Sequence, residues 1–196
     1  TSPFVAGDNF EEAKNYMLGI DKDTAHTAAG ITASVDVIEA NGTPAAKSTY
    51  TLTTSVDTFT GGDGNDSFNG VAGQIEGDVL NGGRGTDTLT LTVNEDDDNA
   101  AFTSSLIENI KIRATGVATI DFGDVTGTDS LEINRTTANL TLENIREIDP
   151  ITLDRLDDGA NAIFTYKSQV VEGTSDSITI TLENSANRDD TTPAVG

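Results

Sequence analysis

Residues 57–89 open with Asp57-Thr58-Phe59-Thr60-Gly61-Gly62-Asp63-Gly64-Asn65-Asp66-Ser67-Phe68-Asn69-Gly70. After Val71-Ala72-Gly73-Gln74-Ile75-Glu76-Gly77 they close with Asp78-Val79-Leu80-Asn81-Gly82-Gly83-Arg84-Gly85-Thr86-Asp87-Thr88-Leu89. The pattern Gly-Gly-x-Gly-x-Asp-x-apolar therefore occurs twice. Gly61, Gly62, Gly64, Asp66 and Phe68 fill the first copy, and Gly82, Gly83, Gly85, Asp87 and Leu89 the second. Asp57 lies nine residues before Asp66, and Asp78 nine before Asp87. Phe59 to Phe68 and Leu80 to Leu89 repeat the same nine-residue step. Each glycine motif is thus preceded by a half-copy that keeps only Asp-x-apolar. A three-residue insertion lengthens the step from Asp66 to Asp78 to twelve.

The residue types fit one another chemically. Glycine reaches positive backbone dihedrals without a steric penalty, so successive carbonyls can point to one side. Calcium is a hard cation that takes roughly six to eight oxygen ligands, backbone carbonyls and carboxylates among them. The candidate ligands are the carboxylates of Asp66 and Asp87, then Asp57, Asp78 and Asp63, with carbonyls from Gly61, Gly64, Gly82, Arg84 and Gly85. Phe68 and Leu89 are expected to turn inward once each turn has ended. The competing reading is a pair of glycine-rich hairpins whose carboxylates are merely solvated. A phosphate loop is excluded, because no Gly-Lys-Ser/Thr follows the glycines. An EF-hand beginning at Asp63 would need glycine where Phe68 stands and glutamate where Gln74 stands. One beginning at Asp154 has Leu156 and Thr165 at ligand positions.

Composition narrows the field further. The 196 residues carry 33 acidic and 11 basic side chains, a net charge of −22. Such a balance argues against nucleic acid or an anionic membrane as a partner and suits a protein that collects divalent cations. With no cysteine, disulfides and thiolate metal sites are excluded. No apolar run is long enough to span a membrane. His26 is the one histidine, and it sits among alanines with no nucleophile motif near it. A histidine-rich zinc site is excluded, and the chain has no Trp to build a sugar platform. We expect no enzyme.

The chain divides into three stretches. In residues 1–48, Asn9 and Glu12 form a capping-box pattern ahead of Phe10, Ala13, Tyr16, Met17 and Ile20. A second helical run follows Asp23 or Thr24 and ends near Gly42 and Pro44, although Ile31 to Val37 also fits a strand. Residues 49–183 abandon helical periodicity for short apolar-x-apolar units: Leu89-Leu91, Ile110-Ile112, Ile120-Phe122, Leu131-Ile133, Leu140-Leu142, Ile151-Leu153, Phe164-Tyr166 and Ile178-Ile180. Their separations are 21, 10, 11, 9, 11, 13 and 14 residues. A repeat near ten per strand predicts a mainly β chain, a right-handed parallel β-solenoid or β-roll with a short N-terminal helical segment. A β-sandwich shows similar strand spacing; the nonapeptide copies, themselves solenoid units, favour the solenoid. Residues 184–196 read as a polar tail. Glu95 to Asp98 reads as a solvated acidic loop, and Asp121, Asp124 and Asp129 straddle a turn where a further ion fits.

The glycine motifs resemble the calcium-binding nonapeptide repeats of RTX proteins, a pattern named with its ion in general accounts of repeat architecture. The stretch Tyr50 to Gly70, followed by Ile107 to Ile112 and Ile120 to Phe122, is similar to RTX-type surface-layer proteins of Gram-negative bacteria. The resemblance spans roughly residues 8–183 and departs from long RTX arrays in having only two full copies. It implies a secreted, cell-surface structural protein that leaves by type I export, folds on meeting calcium and self-associates into a lattice. An RTX adhesin segment, or the calcium-folding module of a type I-secreted enzyme, would carry the same units.

Overall fold

The computed structural model describes residues 45–157, 159–172 and 176–184; the expected helices over residues 8–42 and the tail beyond residue 184 lie outside them. By packing, the chain divides into Thr1–Ala45 and Ala46–Gly196. The second unit is an all-parallel β-solenoid of about six turns.

Its strands are β1 (Thr49–Thr51), β2 (Thr58–Thr60), β3 (Ser67–Gly70), β4 (Val79–Asn81), β5 (Thr88–Val93), β6 (Ala100–Ser105) and β7 (Asn109–Ala114). They continue as β8 (Ala118–Thr126), β9 (Ser130–Asn134), β10 (Leu140–Ile145), β11 (Ile151–Asp154), β12 (Ala162–Tyr166) and β13 (Ile180–Glu183). Odd-numbered strands form one seven-stranded sheet and even-numbered strands a six-stranded sheet facing it, each in sequence order. Every coil gives one strand to each sheet. The Asp-x-apolar half-copies are the even-sheet strands, and the full glycine motifs lead into the odd sheet.

The core is a set of columns. Phe68 pairs with Leu89, Leu89 with Ile110, Ile110 with Leu131 and Leu131 with Ile151. All five are buried, Phe68, Leu89 and Ile110 completely. A second column runs Leu91, Ile112, Ile133, Leu153. Across the interior, Ala100, Ile120, Leu142 and Phe164 align in the even sheet. Phe102 meets Phe122 edge-on with ring centres 5.6 Å apart, and Tyr50 stacks on Phe68 at 4.9 Å. Outward residues alternate with these, so each sheet is dry on one face and wet on the other. Lys111 and Glu132, side by side on the outer face, form an ion pair at 2.7 Å.

Two expectations are revised. The last strand pairs Ile180 with Ile151 and Leu182 with Leu153, so its unit is Ile180-Thr181-Leu182 rather than Ile178-Thr179-Ile180. The Glu95–Asp97 segment is a 3-10 turn, not a wholly solvated loop. Asp97 is buried because its carboxylate accepts from Gly73 N at 2.9 Å and Asn94 N at 3.0 Å. These bonds staple the turn to the coil before it.

Candidate metal centre

The two glycine turns stack in register on adjacent coils at one edge of the solenoid. Arg84 N donates to Gly62 O at 2.8 Å, Thr86 N to the Asn65 side chain at 3.0 Å, and Thr88 N to Asp66 O at 3.0 Å. Close stacking explains the glycines better than turn dihedrals alone. A Cβ on Gly61 would lie 1.9 Å from Gly82 O, and one on Gly82 1.7 Å from Leu106 O. Gly85, at φ +120°, needs glycine on both counts, since its Cβ would lie 2.5 Å from Gly64 O.

Asp66 and Asp87 occupy equivalent places, each two residues before an inward residue of the odd sheet. Asp66 accepts from Ser48 N and Gly62 N, both at 2.6 Å. Asp87 accepts from Asp66 N at 2.6 Å, and Asp87 N in turn donates to Glu108 at 2.7 Å. A backbone-to-carboxylate ladder thus runs from Ser48 through Asp66 and Asp87 to Glu108 and links four successive coils. Registry extends the same column further: Asp66, Asp87, Glu108, Asp129 and Asp149 precede Phe68, Leu89, Ile110, Leu131 and Ile151. The glycine motifs mark only the first two of these acids, and Asp129, which the sequence groups with Asp121 and Asp124, belongs to this column instead. The later copies are disguised because the third turn is shorter: Leu106 stacks on Gly82 of the coil before, yet already stands two residues ahead of the acid Glu108, as Gly85 stands ahead of Asp87. Leu106 nevertheless adopts φ 53°, and Gly127 in the next coil has φ 76°.

Asp57 and Asp78 lie at the opposite edge. Asp78 accepts from Asp57 N at 2.7 Å, and Asp57 from Thr53 N at 2.6 Å. The structure therefore brings together Asp66 with Asp87, and Asp57 with Asp78, but not the two pairs with each other. Asp63 and Arg84 are exposed at the turn tips, whereas Gly64 is buried. Asp121 accepts from Gly123 N and Asn144, and Asp124 lies 3.7 Å from Arg146. Neither joins Asp129, whose charge acts on Asp149 instead.

The electrostatics of the column are uneven. Backbone N–H groups of Gly62 and Ser48 hold the Asp66 carboxyl below its ordinary value. Burial pushes Asp87 up, with repulsion from Glu108 and Asp66 adding to it, and burial likewise pushes Asp78 up to about 6. Both are essentially inaccessible, and one oxygen of each, Asp87 Oδ2 and Asp78 Oδ2, has no hydrogen-bond partner. A buried carboxylate oxygen without a partner is costly, and a cation or a proton relieves it. Among the described residues, no three His, Asp or Glu side chains by themselves form a group able to hold a metal ion. Any ion at the glycine turns would therefore lean on backbone carbonyls, which the glycines bring close. The donor set is all oxygen, which fits a hard cation.

No protein-family model, curated protein or solved structure matches the chain.

Proposed function

We propose that this chain is a calcium-dependent structural segment of a bacterial surface layer, of the RTX type its glycine turns resemble. The observation that carries the calcium reading is Asp87, a fully buried carboxylate with one unpartnered oxygen inside a glycine cradle and between two further acids. Asp66 and Asp87 would hold the ion with carbonyls from Gly61, Gly64, Gly82, Arg84 and Gly85. Asp57 and Asp78 offer a second pair at the other edge, and Asp63 stands at the turn tip. Calcium supplies positive charge there and joins one coil to the next. A ligand that binds only the folded chain stabilises it by about 2.7 kcal/mol per site at hundredfold excess. A chain that depends on this stays unfolded where calcium is scarce and folds outside the cell.

Self-association is supported by the C-terminal edge of the solenoid. Among the described residues no strand pairs with the outer side of β13, where Ile180 and Leu182 are half and two-thirds exposed, and an edge strand of this kind is a template for another chain. The right-handed sense of the coil belongs to the same proposal, being the sense that parallel crossovers favour.

The test is circular dichroism and thermal melting of the chelator-stripped chain with and without calcium, then electron microscopy of the calcium-loaded sample. The proposal expects loss of the β spectrum in chelator, its return with calcium, and ordered sheets afterwards. An unchanged spectrum and Tm in chelator would overturn the calcium reading. A calcium-folded chain that stays monomeric and binds cells or glycans would replace the lattice with adhesion.

A further inference from the structure

The two outer faces of the solenoid differ in charge. Among the described strands only β7 carries basic residues, Lys111 and Arg113, which alternate with its inward Ile110, Ile112 and Ala114. Lys111 is paired with Glu132 on the next strand. Arg113 is exposed and forms no ion pair among the described residues. The even sheet is the opposite. Strands β6, β8 and β10 hold no basic residue, and Asp121, Asp124 and Glu143 stand on their outer face. Asp121 and Asp124 share that face because β8 bulges there: Ala101 pairs with Asp121, but Thr103 with Asp124. Beside the bulge lies a hollow of about 130 Å³ over Ala101, with Gly77 and Asp78 on one side and Asp121 and Asp124 on the other. Glu76 reaches its edge, accepting Ala101 N at 2.8 Å. Asp78 is 1% exposed, and its Oδ2 has no hydrogen-bond partner. Against these acids stands Arg146, 3.7 Å from Asp124, while Lys167 is turned to the Gly123 carbonyl at 3.0 Å.

From this complementarity we infer that solenoids dock side by side, the β7 face of one copy against the even-sheet face of the next, with Arg113 entering the acid-lined hollow. The inference rests on the self-association proposed above and gives it a lateral surface distinct from the β13 edge. Register supports the match. Going round the coil, β7 follows β6 and precedes β8, so its height lies between theirs. Ala114 ends β7 and Ala118 begins β8, so Arg113 and the start of β8 share one edge of the solenoid. Ala101 pairs with Asp121 near that same edge. A second copy moved straight along the sheet normal, without turning or sliding, therefore brings Arg113 over the hollow. A guanidinium carries five N–H donors in a planar fork, which suits carboxylates on two sides. The two surfaces lie on opposite sides of one molecule, so the contact is heterologous and does not close on itself. It extends a row, and rows are what a flat layer is built from.

The chain has no cysteine, so engineered thiols report this contact alone. Calcium-loaded full-length chain carrying Arg113→Cys is mixed with chain carrying Ala101→Cys and oxidised. The inference expects disulfide-linked pairs in the mixture and far fewer from either variant by itself. The double variant should give a ladder of oligomers, since its two thiols lie on opposite faces of one solenoid. Sedimentation velocity supplies a second readout. Arg113→Glu and Asp124→Lys, both at exposed positions, should each weaken self-association at least tenfold with the β spectrum unchanged, because like charges then face each other. Mixing these two variants should restore association, because the reversed charges complement one another. Undiminished association of both, or cross-linking no greater in the thiol mixture than in Arg113→Cys alone, would overturn the side-by-side contact and leave the lattice resting on the β13 edge. A calcium-folded wild-type chain that stays monomeric would overturn this contact and the lattice together.

Discussion

Gly82 and Gly159 show two different reasons for the same residue. Gly159 has φ +83°, and a Cβ added there would meet nothing within 4 Å, so only its dihedral favours glycine. Gly82 has an unremarkable dihedral, but its Cβ would strike the Leu106 carbonyl of the next coil and the Asp87 carboxylate. Gly159→Ala should therefore cost about 1–2 kcal/mol, the left-handed penalty. Gly82→Ala must separate two coils and should cost roughly 3 kcal/mol or more. Urea unfolding in matched buffer checks the order, and equal costs would mean that stacking is not what selects Gly82. Asp97 carries a second prediction. Burial raises its folded pKa above the unfolded value, in spite of the Asn94 and Gly73 N–H groups it accepts. The proton is thus bound more tightly in the folded chain. Its contribution is fully present below about pH 4 and is lost as pH rises through the folded value, at about 1.4 kcal/mol per unit of displacement. Asp97→Asn should remove that component, so the wild-type-minus-variant stability difference should be less favourable at pH 7 than at pH 4.

At the scale of elements, legibility follows side-chain size. Strands β5 and β7–β11 announce themselves because two large aliphatic or aromatic residues flank one polar residue in each. Strand β6 does not, because its inward residues are Ala100, Phe102 and Ser104. It fills the 21-residue gap between the Leu89 and Ile110 units, which is one whole coil. The acid column is half visible for the same reason. Glycine and aspartate mark its first two positions, while Leu106 and Glu108 satisfy the third by geometry with different residues. Only register between coils reveals that Asp149 belongs to it. The β13 offset has no signature either, since Ile178, Ile180 and Leu182 alternate and two registers fit equally. The columns predict where substitutions hurt. Ile110 is fully buried in the middle of the odd-sheet column, so Ile110→Ala should cost about 2–5 kcal/mol. Ile163 is 52% exposed on the outer face of β12, and Ile163→Ala should change stability by less than about 0.5 kcal/mol. Chemical denaturation of both variants measures the difference, and comparable losses would mean that the sheets do not enclose the core as described.

Over the whole molecule, the balance of charge decides the conditions of folding. A net charge of −22 on 196 residues repels itself in any compact state. The solenoid aggravates this by stacking acids in one column at the inter-strand spacing of about 4.8 Å. General screening and specific binding relieve the repulsion differently. Monovalent salt near 0.15 M shortens the range of exposed charges to about 8 Å, which barely reaches buried groups such as Asp87 and Asp78. A divalent ion bound among buried carboxylates acts on them directly. Potassium chloride should therefore raise the Tm of the chelator-stripped chain only slightly. Millimolar calcium chloride at the same ionic strength should raise it by far more, since each occupied site adds about 2.7 kcal/mol at hundredfold excess. Asp87→Asn should narrow the gap between the two salts without removing the response to potassium chloride. Equal Tm values in the two salts would place the acid columns among ordinary surface charges, and the stacked glycine turns would then be structural alone.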